Sequence, residues 1–207
     1  MADNSARTPG SGETIRTVDK SGVETQAVVI DLGGTGAEVL WTGDADYGAQ
    51  VDPRLHVVRV AATPTITAGA YAAGDQVGGI NTLTSVVRAN GGSGAIVNAV
   101  VIDKGVQAAE LELWLFRISP TLAGSDNNAF DIADGPLVAA TPAGVIRFAT
   151  YYSATSSSVA LADTGTLPLG FTCAAADANL YGVFVTRSAP TYASTSDLVV
   201  ALFVVQD

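Results

Sequence analysis

Short apolar runs, each ended within a few residues by glycine, proline, asparagine or serine, recur along most of the chain. Beyond residue 53 they are Leu55 to Ala61, Thr65 to Thr67, Leu83 to Ala89, Ala95 to Ile102, Glu110 to Ile118, Val145 to Tyr152, Ser158 to Leu161, Leu180 to Arg187 and Leu198 to Val205. Runs this short, rich in β-branched and aromatic residues, predict strands. About nine in succession with turn signals between them predict a β-sandwich or jelly roll. Two of the runs show their faces, because side chains alternate sides along a strand. Leu111, Leu113 and Leu115 share one face, while Glu110, Glu112, Trp114, Phe116 and Ile118 share the other, polar at its start and apolar afterwards. Leu198 to Val205 is apolar on both faces, which predicts a central strand covered twice, and an apolar outer face needs a partner.

The first residues read differently. Residues 1–14 are polar, rich in Gly, Ser, Thr and Pro, and predict an arm that is mobile or ordered by a partner. From Thr14 to Leu32 a β-hairpin is expected, turning at Asp19-Lys20-Ser21-Gly22. Gly33-Gly34-Thr35-Gly36 breaks it, Glu38 to Trp41 has the pattern of a short strand, and Asp44 to Pro53 is an acidic connection. The expected organisation is therefore 1–53, arm and hairpin, followed by 54–207, a β-sandwich domain. The fold class is all-β: a β-sandwich or jelly roll with an extended N-terminal arm and β-hairpin. Helical pattern is poor; the Ala-rich Cys173 to Ala178 allows one or two turns at most.

Composition narrows the function. With 207 residues, 48% hydrophobic and 14% charged, the chain carries enough apolar surface to fold. Its net charge of −10 and its singly scattered Lys and Arg offer no surface for neutralising phosphates, so nucleic acid is not an expected partner. The N-terminus lacks an apolar signal core and no stretch approaches the roughly 18 apolar residues of a bilayer span. No membrane partner is expected, and synthesis in the cytoplasm is. The single cysteine, Cys173, cannot form an intrachain disulfide.

Candidate chemistry is sparse, and no enzyme is expected. The one histidine, His56, shares a strand face with Val58 and Val60, which suits a half-buried position better than a catalytic base. Cys173 has no neighbouring cation in sequence to activate it and reads as a packed small residue. One His and one Cys cannot build a zinc site. Two oxygen-rich segments, Asp44 to Asp52 and Ser125 to Asp134, bear on calcium. The first lacks the glycine and final carboxylate of an EF-hand; the second suits calcium ligation or Asx turns. Asp44, Asp46, Asp126, Asp131 and Asp134 are carboxylates that no motif pairs for glycoside hydrolysis. Gly33 to Gly36 and Gly91 to Gly94 lack the Lys-Ser/Thr ending of a phosphate loop. Tyr151, Tyr152, Tyr181, Tyr192, Trp41 and Trp114 could form a sugar-stacking platform or fill cores and interfaces; Tyr151 and Tyr152 must face opposite ways. No cofactor and no metal are expected.

The segment Pro9-Gly10-Ser11-Gly12-Glu13-Thr14-Ile15-Arg16-Thr17-Val18-Asp19-Lys20-Ser21-Gly22-Val23-Glu24-Thr25-Gln26 resembles the N-terminal segment of many tailed-phage virion proteins. Thr63 to Gly79 and Leu180 to Tyr192 are similar to the same group. The resemblance covers most of the chain and brings no catalytic motif. It implies a capsid decoration (cement) or head-fibre type protein on the capsid exterior of a virion, with the major capsid protein and its own copies, as a homotrimer, for partners. Ile15, Val23, Val28 and Ile30 of the hairpin segment, with Trp41 as an anchor, are the expected capsid-docking residues. The alternative is a tail, baseplate or fibre component whose sandwich binds a glycan.

Overall fold

The computed structural model describes residues 16–20, 23–27 and 57–206. The chain divides into two compact units, Met1–Arg54 and Leu55–Asp207. In the first, β1 (Arg16–Lys20) and β2 (Val23–Ala27) pair antiparallel, with Lys20 opposite Val23 and Arg16 opposite Ala27. Thr17, Val18, Val23 and Thr25 suit extended backbone. Among the expected docking residues, Val23 begins β2. Ile15, Val28, Ile30 and Trp41 lie outside the described residues, as do the arm, the strand expected at 38–41, the acidic segment at 44–53 and His56.

The second unit is a β-sandwich. Its strands are β3 (Val57–Ala62), β4 (Gln76–Leu83), β5 (Ser93–Asp103), β6 (Leu111–Phe116), β7 (Pro142–Phe148), β8 (Tyr151–Ser153), β9 (Ser158–Leu161), β10 (Leu169–Thr172), β11 (Leu180–Thr186) and β12 (Leu198–Gln206). One sheet runs β3-β12-β5-β9-β8, with β10 paired to the other half of the same edge of β5 that β9 uses; the second runs β4-β11-β6-β7. Every pairing is antiparallel. Leu111, Leu113 and Leu115 are fully buried, as alternation predicts, with Ile146, Phe148, Leu180 and Phe184 beside them on the same sheet. Facing them in the core are Ile96, Val101, Val200, Leu202 and Val204 of the first sheet.

Three local expectations are corrected. The run Leu83 to Ala89 is not a strand: β4 ends at Leu83, and Val86 and Val87 are buried within the turn that follows. Thr65 to Thr67 is irregular, although Ile66 is buried and its N–H donates to the Thr195 carbonyl at 3.1 Å. In both places apolar residues report burial rather than extension. Val145 to Tyr152 contains two strands, β7 and β8, which belong to different sheets. Cys173 to Ala178 forms no helix, within the limit its sequence sets. The helix among the described residues is α1 (Asp134–Ala140), where Asp134 lies in the first turn next to the positive end of the dipole and Pro136 occupies a position whose N–H would have no helical partner.

β4 escapes a sequence reading because Gly78-Gly79 looks like a turn. Gly78 has φ +70°, and a Cβ there would come within 2.8 Å of the Pro64 Cβ. The strand carries an irregular pairing with β11 at this end, which lets it bend over Pro64.

The polar-then-apolar face of β6 finds its partner within the chain. Residues 117–141, including α1, fold over it, so that Phe116, Val183 and Ala140 are buried and Trp114, Leu122, Phe130, Ile132 and Leu137 pack against them. Trp114 and Phe130 meet with ring centroids 5.2 Å apart.

Candidate functional site

The carboxylates were the first candidates for chemistry, and in the sandwich they hold loops. Asp126, from the oxygen-rich segment, accepts from the Tyr71 hydroxyl (2.7 Å) and the Gly78 N–H (2.6 Å) through Oδ1, and from the Thr67 hydroxyl (2.6 Å) through Oδ2. The Tyr71 oxygen in turn accepts the Thr67 N–H at 2.7 Å. Burial, followed by the bond to Asp126, pushes the Tyr71 phenol well above its usual range, so it stays a neutral donor. Asn128 accepts the Ser125 N–H at 3.3 Å and Asn127 has φ +61°, so the loop closes on its own side chains.

A second pair, which sequence reading passed over, surrounds Gly105. Asp103 is fully buried and accepts the N–H groups of Gly105 (2.9 Å) and Ala108 (2.8 Å). Asp197 accepts those of Ala193 (3.1 Å) and Ser194 (2.9 Å). A Cβ at Gly105 would lie 3.3 Å from an oxygen of each carboxylate. Both acids are thus turned onto backbone amides. Asp75 does the same for the Ala72 N–H, and Asp177 for the Asn179 N–H and the Tyr181 hydroxyl. Each aspartate sits at a strand end or in a connection, a position from which a short carboxylate reaches nearby amides. That placement was the available signal.

Glu110, just ahead of β6, and Glu112 within it form a charged strip on the outer side of the second sheet. Glu110 pairs with Arg147 and Glu112 with Arg187. The bond to Arg187 is the largest influence on Glu112 and holds its carboxyl below its ordinary value. The Trp114 ring N–H also donates to Glu112, at 3.1 Å.

The aromatic residues are dispersed. Tyr152 is 67% exposed while Tyr151 turns inward, so the two face opposite ways. Tyr192 is buried and meets Tyr71 edge-on, with centroids 5.9 Å apart. Burial is the main cause of the upward shift of both the Tyr151 and Tyr192 phenols. Trp114 packs under the 117–141 connection, and Trp41 lies outside the described residues. Among the described residues these placements do not assemble a stacking platform. Cys173 is 1% exposed, and burial pushes its thiol up, as expected of a packed small residue.

No family model, curated protein or solved structure matches this chain. Function has to be argued from surfaces. An open groove of about 450 Å³ runs past Arg117, Pro142, Gly170 and Phe171, but Arg117 already donates to the carbonyls of Thr172 and Cys173 across it. Among the described residues no three of His, Cys, Asp and Glu come together as a metal site.

The outer face of the first sheet is different in kind. Cross-strand register aligns Tyr152, Val159, Ile102 and Val199 in one row. Leu161, Val100, Ala201 and Ala61 form the next row. Asn98, Phe203 and Arg59 form the third. Arg59 is the one charged residue in these rows. β12 is central, as its two apolar faces predict, yet Val199, Phe203 and Val205 remain partly open to solvent.

Proposed function

We propose that this protein is a tailed-phage capsid decoration protein, binding the outside of the head and tying neighbouring major capsid subunits together. The observation that carries the reading is the antiparallel hairpin of β1 and β2 ahead of a β-sandwich in the chain. A hairpin can add a strand to the exposed sheet edge of a neighbour, where backbone hydrogen bonds supply affinity and alternating side chains supply register. The resemblance of Pro9 to Gln26 to virion proteins falls on that same segment. Val23 belongs to the proposed docking strand, and Ile15, Val28, Ile30 and Trp41 flank it in sequence.

Binding the assembled shell and not its dispersed subunits would stabilise the shell by mass action. Symmetry at a shell junction favours several copies acting together, and a homotrimer is the proposed assembly. The tail or fibre alternative depends on aromatic side chains presented to a glycan. The inward placement of Tyr151 and Tyr192 leaves that alternative with less support.

Electron cryo-microscopy of the intact particle tests the proposal. Density for the sandwich repeating over the icosahedral shell, with residues 16–27 paired to capsid protein, is the expected result. Density confined to the tail would overturn it. Thr25→Pro, which removes an N–H from the middle of β2 opposite Val18, should lower shell occupancy while leaving the melting of the sandwich unchanged.

A further inference from the structure

We infer that the outer face of the β3-β12-β5-β9-β8 sheet is the surface through which copies of this chain associate. The inference concerns a face that pairs with its own copy, a two-fold contact separate from the three-fold contact of the proposed homotrimer, and it does not depend on where in a particle the protein sits.

An antiparallel sheet with one face in water normally alternates apolar residues inward with polar residues outward. This sheet does not. Ile102, Val199, Val100, Leu161 and Phe203 point away from the core, because their neighbours along each strand, such as Val101, Val200, Ala160 and Leu202, point into it. The other sheet has the same need, met within the chain by residues 117–141 and the Glu–Arg pairs. Among the described residues no segment packs over the first sheet in that way, and Leu161 (46%) and Tyr152 (67%) are exposed there.

Charge selects the occupant. The chain carries a net −10, so two copies repel one another wherever acids face acids. The rows of this face hold no carboxylate and a single cation, Arg59, at one edge. An apolar, nearly uncharged sheet face is complementary to itself, and two such faces pack about 10 Å apart.

Size agrees with the core of an interface. Five strands at about 4.8 Å spacing and the stretch Val199 to Val205 give a footprint of roughly 19 by 20 Å, about 400 Å². That equals a large patch on a monomer and about half of the roughly 800 Å² each partner contributes to a standard interface. Val57 and Val97, both exposed on the first sheet, supply adjoining rim.

The test is sedimentation of the full chain over a wide concentration range, comparing wild type with Val100→Glu and Leu161→Glu. Association in the wild type, weakened about tenfold or more by each substitution, is expected. Val138→Glu, which changes a 76% exposed residue on α1, should leave association unaltered. A wild type that is monomeric at every concentration overturns the inference and gives the face to another partner. Association that persists in folded Val100→Glu and Leu161→Glu variants overturns it equally. Hydroxyl-radical labelling of the wild type needs no variant to fold: Tyr152 and Leu161 should lose reactivity on association, and undiminished labelling counts against the inference. Loss of association with the protein still bound to heads would separate this surface from the docking proposal.

Discussion

Asp126 shows how one side chain can organise a distant part of the chain. Its carboxylate joins Thr67 and Tyr71 of the connection before β4 and Gly78 of β4 itself, all about fifty residues or more distant in sequence. Charge-assisted hydrogen bonds of this kind contribute more than neutral ones, and removing the acceptor leaves three donors to find water in a half-buried place. Asp126→Ala should therefore lower unfolding stability by roughly 2–4 kcal/mol, measured by urea denaturation. A loss under about 0.5 kcal/mol would show that the three donors rehydrate freely. The sequence announced an oxygen-rich loop at this position without saying whether those oxygens served a metal or the backbone. The deciding partners, Tyr71 and Gly78, are remote in sequence, and no local pattern links them to Asp126. Cys173 is the opposite case, since its reading as a packed small residue was available locally and its burial agrees.

At the scale of elements, strands that carry a continuous apolar run were legible, whereas a strand opening on paired glycines and an apolar turn were not. β6, β9, β11 and β12 fall where the apolar runs place them. β4 was hidden by Gly78-Gly79, and α1 by its short, proline-containing sequence, which gains its stability from packing on Phe116. The charged strip of β6 supplies a pH test. Glu112 is held below its ordinary value of 4.5 mainly by Arg187, so the folded state binds its proton less readily than the unfolded chain. Its contribution is present above that value and is lost as pH falls through the depressed folded value. Glu112→Gln should cost about 0.2–1 kcal/mol near neutrality, and the gap to wild type should close as pH drops from about 5 to about 3. A gap independent of pH in thermal melts would assign the effect to packing against Trp114.

For the whole molecule, the acidic balance and the β-sandwich were readable from composition and periodicity, while the division of labour between the two outer faces was not. That division depends on residues 117–141 folding over one sheet, a long-range choice without a local signature. If the protein cements a shell, adding it should raise the shell's disassembly temperature. At free protein a hundredfold above its Kd the gain is about 2.7 kcal/mol per site, growing with the logarithm of concentration. Differential scanning calorimetry of bare and decorated heads measures it, and an unchanged transition at saturating protein would rule out cementing.

The central position of β12 also sets an order in time. It lies between β3, the first strand of the sandwich, and β5, so the sheet they share cannot close until residues 198–206 have left the ribosome. Until then β3 and the adjoining edge of β5 wait unpaired, and nearly the whole sandwich must be made before its most hydrophobic strand arrives. A chain interrupted even shortly before Leu198 would lose the strand that joins β3 to β5, so nascent copies are most exposed to mutual aggregation in the interval before the last strand is released.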